Sequence, residues 1–412
     1  MPQPIRPLRL DPLRIPFQDL PGALRWVDEH HQGAAVNLSG KVGPSPRSLD
    51  VEDLASFDRL VSAGAGEMDG WHAQSLDLRG RSDALNRIRV EGAIFLGCVF
   101  DDGMEDALRR RGALIFPRLE GVPFNPYRAG LYSPQELYAG LADSPYEELP
   151  DARIYQWSIQ PGLRHRLDAT LASALHDHAI GDALDELHRS DAWAGRKMVG
   201  VMGGHAAQRG STDYAQAALL GQLLARDGNV VATGGGPGAM EAANLGAYLS
   251  QADDGALPAA LQTLASVPGF RPSVSAWARA AAAVVGRYPG GTASLGIPTW
   301  FYGHEPPNYF ATHIAKYFAN AIREAILLEL CHGGIVFLPG AAGTVQEIFQ
   351  DACENYYAAD AKITPMVLVG KHHWEHKYPA WPMLCSLAAG RSMQDWIFLV
   401  DSVEDAAAVL RG

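Results

Sequence analysis

Hydrophobic and polar positions change rhythm near Lys197. From there on, short continuous apolar runs alternate with longer stretches in which apolar residues recur every three or four positions. Met198–Met202, Asn229–Ala232, Thr292–Ile297, Gly334–Leu338, Met366–Val369 and Ile397–Val400 read as buried strands. The stretches between them predict helices over Tyr214–Arg226, capped by Thr212 or Asp213, and over Met240–Leu249, Phe310–Leu330 and Val403–Leu410. One more helix follows Gly343, with Val345, Ile348, Phe349 and Ala352 on one face. Residues 251–290 insert a helical segment with an alanine-rich stretch at 276–283. Apolar strands alternating with helices predict an α/β protein, a Rossmann-like doubly wound parallel sheet with helices on both faces.

Ahead of Lys197 the pattern is less regular. Residues 1–45 are rich in proline and turn residues, with one short helix-like piece at Pro21–His30. Ala93–Val99 and Ala113–Phe116 read as strands, with a short helix, Met104–Arg111, between them. The chain therefore divides into a smaller α/β region at 1–150, to which the sequence assigns no role, a helical connector at 151–195, and the main domain at 196–412. In the connector, His165, His176, His178 and His188 read as surface residues of helix faces. The acidic group Asp101, Asp102, Glu105 and Asp106 fits a loop and a helix first turn better than a metal site. No metal and no cofactor is expected.

The chemistry gathers at two glycine turns. Thr233-Gly234-Gly235-Gly236-Pro237-Gly238-Ala239-Met240-Glu241 follows one strand, and Pro339-Gly340-Ala341-Ala342-Gly343-Thr344-Val345-Gln346-Glu347 follows another. A strand that ends in glycines and opens a helix brings backbone N–H groups and a favourable helix dipole to an anion. Two such turns in one sheet predict a shared site at the strand C-termini. Thr344 and Glu347 stand at T-x-x-E spacing, which also fits a capping box that merely satisfies free amides.

Gly234-x-Gly236-x-x-Ala239 has the loose form of a dinucleotide fingerprint, but Asp253 and Asp254 fall in a polar loop and not at the end of the next strand. Neither turn carries a Walker lysine, which removes a P-loop, nor any lysine to hold pyridoxal phosphate as a Schiff base. Two short phosphate cradles suit a mononucleotide or a sugar phosphate.

Charge and cysteine content narrow the setting. The net charge of −12 argues against a nucleic-acid partner while leaving room for a local phosphate pocket. The four cysteines form no C-x-x-C pair; Cys331 and Cys353 read as buried small apolar residues, and a reducing compartment is expected. No run is long enough to span a membrane and no apolar signal core opens the chain, so a cytoplasmic protein without membrane contact is expected.

With these residues in view, roughly residues 195–400 resemble the LOG ("Lonely guy") family of nucleoside 5′-monophosphate phosphoribohydrolases, once widely mislabelled lysine decarboxylases. The resemblance rests on Gly234-Gly235-Gly236-Pro237-Gly238-Ala239-Met240 paired with Pro339-Gly340-x-x-Gly343-Thr344-x-x-Glu347. His304-Glu305-Pro306-Pro307-Asn308 and the long N-terminal region look closer to the larger bacterial nucleotide nucleosidases of that family.

The resemblance implies hydrolysis of the N-glycosidic bond of a nucleoside 5′-monophosphate, without cofactor, by a homodimer or higher homo-oligomer. It carries Arg323 and Glu347 over as the catalytic pair. For Arg323 the sequence also allows a surface ion pair with a nearby glutamate. Gly340, Gly343 and Thr344 would hold the 5′-phosphate, and Gly203, Gly204, His205, Gly234, Gly235, Gly236, Gly238 and Asn308 would line the nucleotide. Trp300, Phe301 and Tyr302 are expected among the walls of the base pocket, and Met240 fits core and pocket alike. Two positions depart from the family: Ala341 stands where a glycine is usual, and Gln346 where a glutamate is frequent. Both leave open a nucleotide-binding sensor that does not cleave its ligand.

Overall fold

The computed structural model describes residues 49–301 and 305–411. Residues 49–412 cluster as one compact unit. The helix expected at Pro21–His30, and Tyr302 and His304, lie outside the described residues.

The first layer is a four-stranded parallel sheet whose strands, β1 (Leu49–Val51), β2 (Trp71–Gln74), β3 (Ile94–Leu96) and β4 (Leu114–Phe116), lie side by side in chain order. Paired residues stand 22, 22 and 20 positions apart: Leu49 with Trp71, His72 with Ile94, and Ile94 with Leu114. Each turn of chain thus adds one strand and one helix, α1 (Leu54–Ser62), α2 (Ser82–Arg87) and α3 (Met104–Arg110). Val51, Ala73, Phe95 and Ile115 form one inward row that buries against Phe57, Leu85 and Leu108 of the helices. A strand of three residues cannot bury its face alone; stacking the repeats provides the core. Asp101 is used inside this layer, accepting from the Gly80 amide and the Ser82 hydroxyl.

Helices α4 (Pro134–Leu137), α5 (Pro150–Ser158) and α6 (Leu167–Arg189) then cross to the second sheet. They are tied to it by a buried network. Asp151 accepts from Lys316 Nζ at 2.7 Å, Trp300 Nε1 at 3.0 Å and the Tyr146 hydroxyl at 2.5 Å. His176 corrects the surface reading of the connector histidines: it is fully buried, between the Tyr132 hydroxyl at 2.8 Å and Asp177. Burial holds its pKa below the ordinary histidine value.

The second sheet has seven strands, all parallel. In chain order they are β5 (Met198–Met202), β6 (Val230–Thr233), β7 (Leu295–Gly296), β8 (His313–Ile314), β9 (Ile335–Phe337), β10 (Met366–Val369) and β11 (Ile397–Val400). Their spatial order is β11-β10-β9-β5-β6-β7-β8. The chain builds outward from β5 in one direction, returns, and builds outward from β9 in the other. This is a Rossmann-like doubly wound sheet, with its switch point between β5 and β9.

Successive residues face opposite layers. Ile335, Phe337, Met366 and Leu368 bury on one side, and Val336, Leu338, Val367 and Val369 on the other. Helices α7 (Thr212–Arg226), α8 (Ala239–Tyr248) and, later in the chain, α14 (Val403–Arg411) cover the second side, while α9 (Ala256–Ala265) and α10 (Val274–Arg287) form the inserted segment. The first side is covered from α11 (Asn320–Leu330), α12 (Ala342–Tyr357) and α13 (Ala380–Ala388).

Four expectations change. Ser211, not Thr212 or Asp213, caps α7, its hydroxyl accepting from the Tyr214 amide at 3.2 Å. The helix expected over Phe310–Leu330 begins only at Asn320, because residues 313–317 pair with the β7 strand on one side and with Tyr132 on the other. The Thr292–Ile297 strand shrinks to Leu295–Gly296. Cys331 is buried as expected, but Cys353 is exposed on α12.

Candidate functional site

The C-terminal ends of β5, β6, β9 and β10 open into a cleft of about 1000 Å³ at the switch point. Gly203, Gly204 and His205 enter it from β5, Gly234, Gly236 and Met240 from β6, and Gly340, Gly343, Thr344 and Glu347 from β9. Arg323 reaches in from α11. The predicted catalytic pair and eight of the eleven predicted binding residues thus share one wall-to-wall space. A larger groove of about 1420 Å³ runs between α6 and α11, but neither glycine turn reaches it.

Three predicted binding residues do not line the cleft. Gly235 and Gly238 shape the first turn from beneath: both adopt left-handed backbone, φ +71° and +76°. A side chain on Gly235 would begin 2.6 Å from Pro298, and one on Gly238 2.6 Å from the Gly204 and His205 carbonyls. Asn308 is fully buried as a strut. Its amide donates to the Gly236 carbonyl at 3.3 Å and to Asn244 at 3.0 Å, and its oxygen accepts from the Phe310 and Ala311 amides. Thr233 and Ser294 complete this polar floor around Asn244. The base-wall expectation for Trp300 also fails. Its ring is buried with its indole N–H on Asp151, while Phe301 lines the outer groove and Thr299 lines the cleft instead.

At the second turn the capping-box alternative does not apply. The residue that opens α12 is Ala341, without a side-chain cap, so Thr344 and Glu347 sit inside the helix. Val345 is the first residue whose amide closes a helical bond, to the Ala341 carbonyl at 3.0 Å. The N-terminus of α12 therefore faces the cleft uncapped, as an anion site requires. Ala341 has φ −122°, open to any residue, so its replacement of glycine introduces no backbone strain.

Arg323 lies over the first turn, its Nη1 3.7 Å from where a side chain on Gly234 would begin. Among the described residues its buried Nε has no hydrogen-bond partner. Glu347, partly buried on the next helix, has its pKa pushed up to about 7. Burial is the main cause, the nearby Glu324 carboxylate adds to it, and Arg323 opposes both.

Several residues of the cleft escaped the sequence reading. Glu324 accepts from Asn320 and from Gln346, each at 2.7 Å. Gln346 is thus not simply a lost carboxylate: its amide holds Glu324, where a glutamate would repel it. Glu305 stands on the lip with His205 Nδ1 3.5 Å from its Oε1. His373, in the turn of π-helix after β10, donates from Nε2 to the Gly340 carbonyl at 2.9 Å and braces the second turn. No motif marked His373; Glu305 lay in a quoted motif, and Glu324 beside Arg323 in the matching helix stretch, both without a role.

Among the described residues no cluster of histidine, cysteine and carboxylate side chains could hold a metal ion. Among those residues, too, no helix is long and apolar enough to cross a membrane.

Among solved structures the chain is similar to the molybdenum cofactor binding protein of the phototrophic bacterium Rippkaea orientalis, at 19% identity and a TM-score of 0.34, over 53% of this chain and 97% of that one. It is also similar to the molybdenum cofactor carrier protein of Chlamydomonas reinhardtii, at 19% identity and a TM-score of 0.32, over 52% of this chain and 96% of that one. No curated protein sequence matches the chain. Residues 196–259, which run from β5 through the first glycine turn and α8, match the model of the SLOG cluster4 family.

Proposed function

We propose that this protein hydrolyses the N-glycosidic bond of nucleoside 5′-monophosphates, releasing the free base and ribose 5-phosphate, as the LOG-like motifs imply. The observation that carries the reading is Arg323. A buried guanidinium donor without a partner is costly unless a ligand completes it. It stands in one cleft with the uncapped amides of α12 and with a carboxylate that titrates near neutrality. The cleft volume falls within the range of about 300–1,000 Å³ usual for small-molecule sites.

In this reading the Gly343 and Thr344 amides and Arg323 bind the 5′-phosphate. Glu347 takes a proton from water as the water oxygen attacks the ribose C1′, the C–N bond electrons leave with the base, and the base takes up a proton from solvent as Glu347 releases its own, which regenerates the carboxylate. Its negative charge also favours the oxocarbenium character that develops on the ring. As a general base Glu347 must be ionised, so the rate rises with pH through about 7 and then levels off. The active species is proposed to be a homodimer or higher homo-oligomer, which light scattering measures directly.

A second reading, a nucleotide sensor without turnover, draws on Gln346, which stands where the family often carries a glutamate. Glu347→Gln separates the two. For the hydrolase, the variant binds AMP with near wild-type affinity in calorimetry and loses at least a hundredfold in adenine release. A wild-type protein that binds AMP and releases no base favours the sensor.

A further inference from the structure

Helix α11, which carries Arg323 and Glu324, has no side-chain cap of its own; the residue that opens it is Ala319. Its entry is held from another part of the chain. Asp177, on α6 and buried, accepts from the Phe318 amide at 2.9 Å and from the Ala319 amide at 2.8 Å, one bond to each carboxylate oxygen. His176 orients that carboxylate. Its Nδ1 lies 3.3 Å from the same Oδ1 that meets Phe318. A carboxylate only accepts, so Nδ1 carries the proton and Nε2 accepts from the Tyr132 hydroxyl at 2.8 Å. Tyr132 in turn pairs through its backbone with Ile314, on the strand that leads into the helix. The chain Tyr132–His176–Asp177 thus grips residues 314–319 from both ends, and its negative end sits at the positive end of the α11 dipole.

We propose that Asp177 is a positioning residue: it fixes the start of α11 and, through the helix, sets Arg323 over the glycine turns. The inference rests on the reading of Arg323 as a ligand-binding group. It gives the segment between the two sheets a task in the site, although that segment reaches the cleft with no side chain of α6.

The test uses the full-length protein, AMP as probe, and the variants Asp177→Ala and Asp177→Asn. The asparagine keeps one acceptor and turns a donor toward the other amide, so it covers the case in which the alanine variant folds poorly. His178→Ala, an exposed neighbour, is the control. In the wild-type background kcat/KM falls at least tenfold for alanine and by less for asparagine. In an Arg323→Ala background Asp177→Asn costs less than twofold, because there is no guanidinium left to place. A merely structural role predicts the same loss in both backgrounds, and that outcome overturns the proposal.

The Nε–H resonance of Arg323, assigned by its disappearance in Arg323→Lys, gives a readout independent of turnover. It shifts in Asp177→Asn and not in His178→Ala. An unmoved resonance refutes the positioning role even if AMP proves not to be a substrate. Absence of AMP turnover in the wild type, with the resonance shifted, refutes only the assigned reaction.

Discussion

Glu347 ties stability and function to one proton, and Glu347→Gln measures the coupling. In the unfolded chain the carboxyl titrates at its ordinary value of 4.5, whereas in the folded protein it titrates at about 7. Below 4.5 it is neutral in both states and costs nothing. Between 4.5 and 7 the folded state holds the proton that the unfolded state has released, so wild-type stability falls as pH rises. Above 7 the full penalty is present. At 1.36 kcal/mol per pH unit the gap corresponds to about 3 kcal/mol, an upper bound because part of the carboxylate faces the open cleft.

Glutamine carries no charge at any pH, so the variant escapes the penalty. Urea unfolding at pH 4.5 and pH 8.5 reads the difference. The stability of Glu347→Gln relative to wild type improves by about 2–3 kcal/mol between the two pH values, while turnover is lost at both. Equal relative stability at both pH values would refute the claim that burial and Glu324 raise this group, and with it the assignment of Glu347 as a base poised at neutrality.

The glycines of the second turn separate folding from binding. A side chain on Gly343 meets nothing within 4 Å, so Gly343→Ala is expected to raise stability by about 0.5–1 kcal/mol, read by urea unfolding, while weakening AMP binding by crowding the free amides. On Gly340 the same change places a carbon 2.1 Å from Thr344 Oγ1, and both stability and binding fall. Arg209 and Glu241 form a buried pair beside the Trp277 ring, so Arg209→Met leaves a buried carboxylate alone and costs about 3–5 kcal/mol in the same unfolding assay. Adding Glu241→Met restores most of that loss. Asn308→Ala strips the Gly236 carbonyl and two amides of their partner, lowering stability by about 1–3 kcal/mol and raising hydrogen exchange at residues 234–238.

Much of this site is legible in the sequence because its chemistry is local. Each glycine turn between an apolar strand and a helix occupies nine residues, and strands such as Met198–Met202 and Ile397–Val400 are continuous apolar runs bounded by breakers. Legibility ends where neighbours distant in the chain decide. The apolar residues of Phe310–Phe318 recur at intervals that imitate a helix, but the segment runs extended because it is flanked on both sides. In the first layer each strand is three or four residues long, and Trp71-His72-Ala73-Gln74 shows no apolar run; only the spacing between register partners marks the repeat.

Residue type places His176 on the surface and the resemblance places Asn308 on the ligand, while the structure uses both as buried struts. Apart from the adjacent Asp177, their partners Tyr132, Gly236 and Asn244 lie 44 to 72 positions away, beyond any motif. Glu324 shows the same limit. Adjacent to Arg323 in sequence, it is held in the cleft by Gln346, from the next helix, together with Asn320.

The most direct test of the account is reducing-sugar release from a panel of nucleoside 5′-monophosphates, run beside the matching nucleosides. The account predicts sugar released in step with free base from the phosphorylated forms alone, because the α12 amides and Arg323 require the phosphate. Equal release from the unphosphorylated nucleosides, or none from any monophosphate, would contradict it.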